Sequence, residues 1–255
     1  MTDRTPVNDT PQPLIAHLLE LRNRLLKAVL AVLVLFAGLF YFSQDLYTLV
    51  AQPLMKVLPE GTSMIATDVT SPFLVPFKLA LYSAILLAMP FILHQAWAFI
   101  APGLYRHEKR FAIPLLASSV VLFYSGIAFA YFVVFPLLFG FFTSIAPQGV
   151  AVMTDIGRYL DFVVTLFIAF GLSFELPIAI LLMVWSGLVD VDTLAEKRPY
   201  IVVGCFVIGM LLTPPDIFSQ TLLALPMWLL FEGGLLCARL IKPGSRPAEE
   251  ENDDA

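Results

Sequence analysis

Twelve of the fifteen Lys and Arg residues fall on one side of an alternating ladder of apolar runs. The runs span roughly 25–44, 77–101, 111–138, 159–186, 199–213 and 218–238. If the segments between them alternate sides, one side holds Arg4, Arg22, Arg24, Lys27, Arg106, Lys109, Arg110, Lys197, Arg198, Arg239, Lys242 and Arg246, and the other only Lys56, Lys78 and Arg158. A membrane protein keeps its basic residues in the cytoplasm, so this bias orients the whole chain. It predicts an all-α, polytopic membrane protein with six spans. Both termini and the segments 102–110 and 187–198 then lie in the cytoplasm.

Six spans of about 20 residues each use up most of 255 residues, so one membrane domain over 1–242 is expected. The acidic tail 243–255, with Glu249, Glu250, Glu251, Asp253 and Asp254, reads as disordered and solvated. Only 14% of residues are charged and the mean hydropathy is +0.85, far from a soluble average of roughly 25% charged. Residues 1–24 lack an early apolar stretch, so the first span reads as retained rather than cleaved. Residues 111–154 carry no charge and are long enough for two short spans; Pro136, Pro147 and the following Gly favour one helix and a loop. Cys205 and Cys237 sit inside apolar runs and read as small hydrophobes rather than a disulfide.

Proline marks several spans. Pro90, Pro136 and Pro177 each remove a backbone hydrogen bond and should kink their helices. Spans five and six are short. From Tyr200 to Leu212 a helix extends only about 20 Å, against a hydrocarbon thickness of about 30 Å. The first external loop, 43–76, is expected to form short helices and turns on the outer face, with Phe73, Leu74 and Val75 touching lipid.

The charged residues inside or beside these runs are the candidate functional groups. Residues 14–28, LIAHLLELRNRLLKA, form an amphipathic helix leading into the first span, with His17, Glu20, Arg24 and Lys27 on one face. Arg22 projects among Leu18, Leu26 and Ile15, and a partly buried Arg22 that positions a carboxylate is expected. Glu108 is the only acid of APGLYRHEKR, residues 101–110. Glu20 and Glu108 are thus isolated carboxylates on a basic face, able to receive a guanidinium bidentately. Glu175 lies in mid-membrane, where a charge costs about 2.5–3.5 kcal/mol, so it should face a concave, water-accessible surface. Glu232 sits near the cytoplasmic end of the last span and is less demanding. No Walker-type loop, HExxH or GxSxG occurs, and His17, His94 and His107 are scattered. No enzyme, cofactor or metal site is expected, and nucleic acid is not an expected partner.

At these residues the chain resembles TatC, the core membrane component of twin-arginine protein translocases, and it is closely similar to the enterobacterial members. The matching stretches are HLLELRNRLL (17–26), FIAPGLYRHEKR (99–110), SFELP (173–177), KRPY (197–200) and LTPPDIFSQ (212–220). The resemblance implies a receptor that binds twin-arginine signal peptides on the cytoplasmic face and supports export of folded proteins. It implies use of the proton-motive force and partnership with TatB- and TatA-type single-span proteins in an oligomeric assembly within the lipid bilayer. Carried onto this sequence, it assigns signal recognition to Glu20, Arg22, Phe99 and Glu108, and functional sensitivity to Pro53, Glu175 and Asp216. It assigns partner binding to Met210, Thr213 and Gln220. A small-molecule secondary transporter is the alternative, but one intramembrane acid and no internal repeat argue against it.

Overall fold

The computed structural model describes residues 14–56, 64–100, 112–145, 153–213 and 216–240. Among them the structure is helical apart from one isolated bridge between Ile65 and Asp155. The helices are α1 (Leu14–Phe40), α2 (Ser43–Met55), α3 (Ser71–Ile100), α4 (Ala112–Phe129), α5 (Phe135–Ser144), α6 (Ile156–Ser173), α7 (Leu176–Trp185), α8 (Val191–Glu196), α9 (Arg198–Leu212) and α10 (Ile217–Leu240). A π-helical turn, Ala130–Val134, joins α4 to α5.

Four helical stretches are long and apolar enough to cross a membrane: Leu18–Phe40, Ile113–Ser144, Ile156–Trp185 and Ile217–Leu240. A fifth is the bent pair Ser71–Leu87 and Met89–Phe99, and α9 is a shorter apolar helix. Each of the six expected runs therefore holds an apolar helix. At 15 residues α9 reaches about 22 Å, shorter than the hydrocarbon core, as its sequence predicts. The uncharged stretch after residue 111 forms one continuous helical run to Ser144, not two.

The boundaries differ where apolarity and helicity part company. The first run continues to 44, but α1 stops at Phe40 and a turn at Tyr41–Phe42 leads into α2. Both aromatics are exposed there, so they lengthen the apolar run without extending the helix. At the other end of the loop, α3 begins at Ser71 and already includes Phe73, Leu74 and Val75. Phe73 and Leu74 are exposed as expected, but Val75 is buried at 3% exposure. Pro72 is tolerated because the first turn of a helix has amide groups with no intrahelical acceptor, whereas Pro76 lies inside the helix and removes the bond to the Pro72 carbonyl.

Four prolines shape the helices, and tyrosines answer two of the breaks they make. The α3 axis bends by 48° between Leu87 and Met89, beside Pro90. Proline lacks the N–H that would meet the carbonyl four residues back, here that of Leu86. The Tyr124 hydroxyl of α4 donates to that Leu86 oxygen at 3.1 Å and lies 3.4 Å from the Leu87 oxygen. Pro53 does the same inside α2. It frees the Leu49 carbonyl, which accepts from the Tyr131 hydroxyl at 3.0 Å, while Tyr159 donates to Val50 at 2.8 Å. Pro136 follows the π-turn, a wider helical turn that accommodates the missing bond. Pro177 opens α7 just after the α6–α7 break at Phe174–Glu175.

The core runs along α4, α5 and α6. Phe135 packs on Phe167 with centroids 5.2 Å apart, Phe139 on Tyr159 at 5.5 Å, and Phe129 on Phe170 at 5.5 Å. Small residues set the spacing. A Cβ on Gly171 would stand 2.6 Å from the Phe123 ring, so α4 and α6 approach this closely only over glycine. A second cluster, including Trp97, Leu115, Leu181, Val184 and Phe231, joins α3, α4, α7 and α10.

Candidate functional site

The start of α1 and the end of α3 lie toward the same end of the bundle. Phe36 and Phe40 near the end of α1 meet Phe77 near the start of α3, with centroids 5.2 and 6.0 Å apart. The two helices therefore run antiparallel, which brings Glu20 to the same end as Phe99. Glu20 is half-buried and accepts from Arg24 Nε at 2.9 Å and from its Nη2. Residues four apart lie one above the other on a helix, so this pair is a product of local spacing. Both bonds fall on Oε1. Oε2 has no partner among the described residues.

Arg22 corrects one expectation. It is exposed, and its Nη2 donates to Asn23 at 3.2 Å. The arginine that positions the Glu20 carboxylate is Arg24, because a four-residue step faces Glu20 and a two-residue step does not. Phe99 is half-buried near the end of α3. Glu108 and the segment around it lie outside the described residues.

A second polar constellation lies at membrane depth. Glu175 stands at the α6–α7 break, and its backbone carbonyl accepts from Ala179 at 2.9 Å. Nearby in the bundle, the buried Ser119 of α4 accepts from the Trp97 indole of α3 at 3.4 Å. Glu175 Oε1 is buried without a partner. Next to this point, α4, α7 and α10 line an open apolar groove of about 890 Å³ that includes Ser118, Phe129, Phe174, Pro177, Pro226 and Gly233. Glu232 is the better-satisfied acid of the bundle. Arg198 grips it with two parallel bonds, Nε to Oε1 at 2.7 Å and Nη2 to Oε2 at 2.8 Å.

The remaining expected residues lie toward the opposite ends of the same helices. Pro53 is buried in α2 against the core, at the kink held by Tyr131 and Tyr159. Asp216 caps α10: its Oδ1 accepts from the Ser219 amide at 2.7 Å, and its Oδ2 is buried without a partner. Thr213 is buried, but its hydroxyl donates to the Gly209 carbonyl of its own helix at 2.9 Å. Gly209 packs tightly on the Gln220 backbone, where an added Cβ would lie 3.3 Å from the Gln220 oxygen. Met210 is exposed and Gln220 half-buried. Met210, Thr213 and Gln220 thus lie on α9 and α10 around their junction, with Met210 the exposed member of the three.

Sequence reasoning overlooked Asp155. It caps α6, taking bonds on Oδ1 from Gly157 and Arg158 amides at 3.0 and 2.9 Å. On Oδ2 it accepts from the Thr67 amide at 2.9 Å and hydroxyl at 2.7 Å. These donors, the Arg158 amide foremost, lower its carboxyl to a pKa of about 2. An acid before a helix start signals a cap, but nothing local points to Thr67.

The chain matches the family model described as Sec-independent protein translocase protein (TatC) over residues 16–226. A TatC from Azotobacter chroococcum is 63% identical over 251 residues, 98% of each chain. One from Escherichia coli K12 is 59% identical over 244 residues, 96% of this chain and 94% of that one. A crystal structure of the twin arginine translocase receptor TatC superposes with a TM-score of 0.79 at 38% identity, covering 88% of this chain and 98% of that one.

Proposed function

The chain belongs to the TatC family of Sec-independent protein translocases, and on that premise we propose that it is the signal-peptide receptor of a twin-arginine translocase. The family transports proteins across a membrane and is not enzymatic. In this reading the whole bundle is one membrane domain of the inner membrane with a polar acidic tail, and both termini are cytoplasmic. Glu20, Phe99 and Glu108 receive the twin-arginine motif at the end shared by α1 and α3. Arg22 contributes from the surface rather than from the core.

One observation supports this reading most directly. Glu20 is held by Arg24 through a single oxygen, which leaves Oε2 for an incoming guanidinium beside the helix end that carries Phe99. The relative solved as a twin arginine translocase receptor shares this architecture. Pro53, Glu175 and Asp216 serve the later steps of transport. Met210, Thr213 and Gln220 dock single-span TatB- and TatA-type partners beside α9, the helix too short to span the hydrocarbon alone. The proton-motive force supplies the energy.

The test is signal-peptide affinity in membranes. Wild-type protein should bind a twin-Arg peptide more tightly than its Lys-Lys variant, because an ammonium cannot bond bidentately. Glu20→Ala and Glu108→Gln should each weaken binding roughly tenfold to a hundredfold, the worth of a charge-assisted hydrogen bond at about 1.5–3 kcal/mol. Normal affinity in both variants, at normal protein levels, would remove these carboxylates from the site.

A further inference from the structure

Lys56, Lys78 and Arg158 run against the charge bias of the chain. A membrane protein keeps few cations on its poorly charged side, so each one there calls for a local reason. Lys78 has one: its Nζ lies 3.6 Å from Asp161 Oδ1. Arg158 has none of that kind. It is exposed in the first turn of α6, with an acid three residues away on either side. Asp155 uses both oxygens on the four donors described above, and Asp161 pairs with Lys78. Among the described residues the Arg158 guanidinium has neither a hydrogen bond nor an ion pair.

The same Arg158 lines a partly open pocket of about 240 Å³ between α2, α5 and α6. Leu54, Phe139, Phe142 and Phe162 make most of the remaining wall. The hydroxyls in it have already given their protons: Thr143 donates to the Phe139 and Gly140 carbonyls at 2.9 and 3.1 Å, and Tyr159 to Val50 at 2.8 Å. Arg158 and Phe162 are four residues apart and share one face of α6. Helical side chains lean toward the N-terminus, so Arg158 reaches out past the start of α6. Phe162 lies about 6 Å deeper along the axis. A cation thus stands at the helix ends, above an apolar slot that runs inward. Met55, Ile145 and Met153, next to lining residues in the chain, are apolar and exposed, as contact with lipid requires.

Size and charge select the occupant. One turn of α-helix, 5.4 Å long and about 10 Å across, fills about 420 Å³, so the pocket is too small for a partner helix. It has room for the upper part of an acyl chain. A guanidinium is matched by a phosphate, which it can hold through two parallel bonds. Lys56 ends α2 two residues after Leu54, also without an ion pair among the described residues, and its charge disfavours a headgroup that carries an ammonium. We propose that this pocket is a site for one anionic phospholipid, with its phosphate on Arg158 and an acyl chain against Leu54, Phe139, Phe142 and Phe162. The lipid joins α2, beside its Pro53 kink, to α5 and α6. In the orientation proposed above it belongs to the outer leaflet; signal recognition plays no part in the inference.

The experiment uses the full chain in phosphatidylcholine nanodiscs. A trace of phosphatidylglycerol carrying a photoreactive group high on its acyl chain is included, or phosphatidylcholine carrying the same group. After illumination, mass spectrometry locates the adducts. The phosphatidylglycerol probe should label peptides holding Leu54, Phe142 or Phe162 about tenfold more than the phosphatidylcholine probe does. Arg158→Ala should remove that preference, since a charge-assisted bond is worth roughly tenfold or more in affinity. Arg158→Lys should lose less, keeping the charge without the fork. Equal labelling by the two probes, or an undiminished preference in Arg158→Ala, would mean ordinary surrounding lipid only and would overturn the site.

If Arg158→Ala fails to accumulate, competition on the wild-type chain decides the matter. Unlabelled phosphatidylglycerol should displace the adducts, and equal displacement by added phosphatidylcholine would refute the preference. A photoreactive residue at position 142 tests the occupant in native membranes. It should capture lipid; capture of a protein in its place would assign the pocket to a partner and overturn the proposal.

Discussion

Asp155 accepts from four donors and lies outside the membrane-spanning segments, so its titration can be followed. Its folded pKa, about 2, lies below the ordinary value of 3.8. A depressed carboxyl stabilises the fold above its unfolded pKa and loses that contribution as pH falls through the folded one. The protection factor of the Thr67 amide against hydrogen exchange should therefore hold from pH 7 to about 4 and drop between about 4 and 2. In Asp155→Asn it should not vary with pH across that window. A wild-type protection factor that stays level down to pH 2 would show that the charge is not what holds Thr67. Single residues were legible in the sequence when they were chemically out of place. Glu20 and Glu175 stand out as acids among basic or apolar neighbours. Trp97 and Ser119 do not, because an indole and a hydroxyl are ordinary in a membrane helix and their bond joins residues 22 apart. Arg22 was misjudged because its apolar neighbours Leu18 and Leu26 are themselves exposed and bury nothing, while the four-residue step pairs Arg24 with Glu20.

At the scale of helices, the prolines were legible but their compensation was not. Sequence shows that Pro90 and Pro53 must leave a carbonyl unmatched; it does not show that Tyr124 and Tyr131 answer them from 38 and 82 residues away. The pairing makes a sharp prediction. Tyr124→Phe should destabilise the protein by about 1 kcal/mol, between the membrane average of about 0.6 and the larger cost of an orphaned buried carbonyl. In a Pro90→Ala background the backbone bond re-forms, so the same change should cost almost nothing. Unfolding titrations of the four proteins measure this cycle, and equal losses in both backgrounds would mean that Tyr124 acts elsewhere than at the kink. The element boundaries that shifted, at Tyr41–Phe42 and Val75, did so because apolar residues in turns and helix starts look like span residues in composition.

For the whole molecule, the alternation of basic segments carries an orientation that helix packing does not. In a chain with Cys205→Ala and Cys237→Ala, an impermeant thiol reagent outside the cell should label Glu60→Cys and Val150→Cys. It should not label His107→Cys or Asp192→Cys. External labelling at Asp192→Cys would break the six-span order. The number and order of apolar helices were legible because a bilayer demands long apolar runs; the joining of distant outer segments was not, since it depends on pairs rather than runs. The Ile65–Asp155 bridge and the Thr67–Asp155 bonds join segments far apart in the chain, the latter across 88 residues. At a synthesis rate of about 5–20 residues per second, Asp155 is made roughly 4–18 s after Thr67. A nascent chain stopped before Asp155 already has α1, α3 and the continuous α4–α5 run, each apolar enough to insert, yet residues 65–67 have nothing to fasten to. The clasp is thus a late event in biogenesis, and its closure separates a chain that has merely been inserted from one that has been assembled.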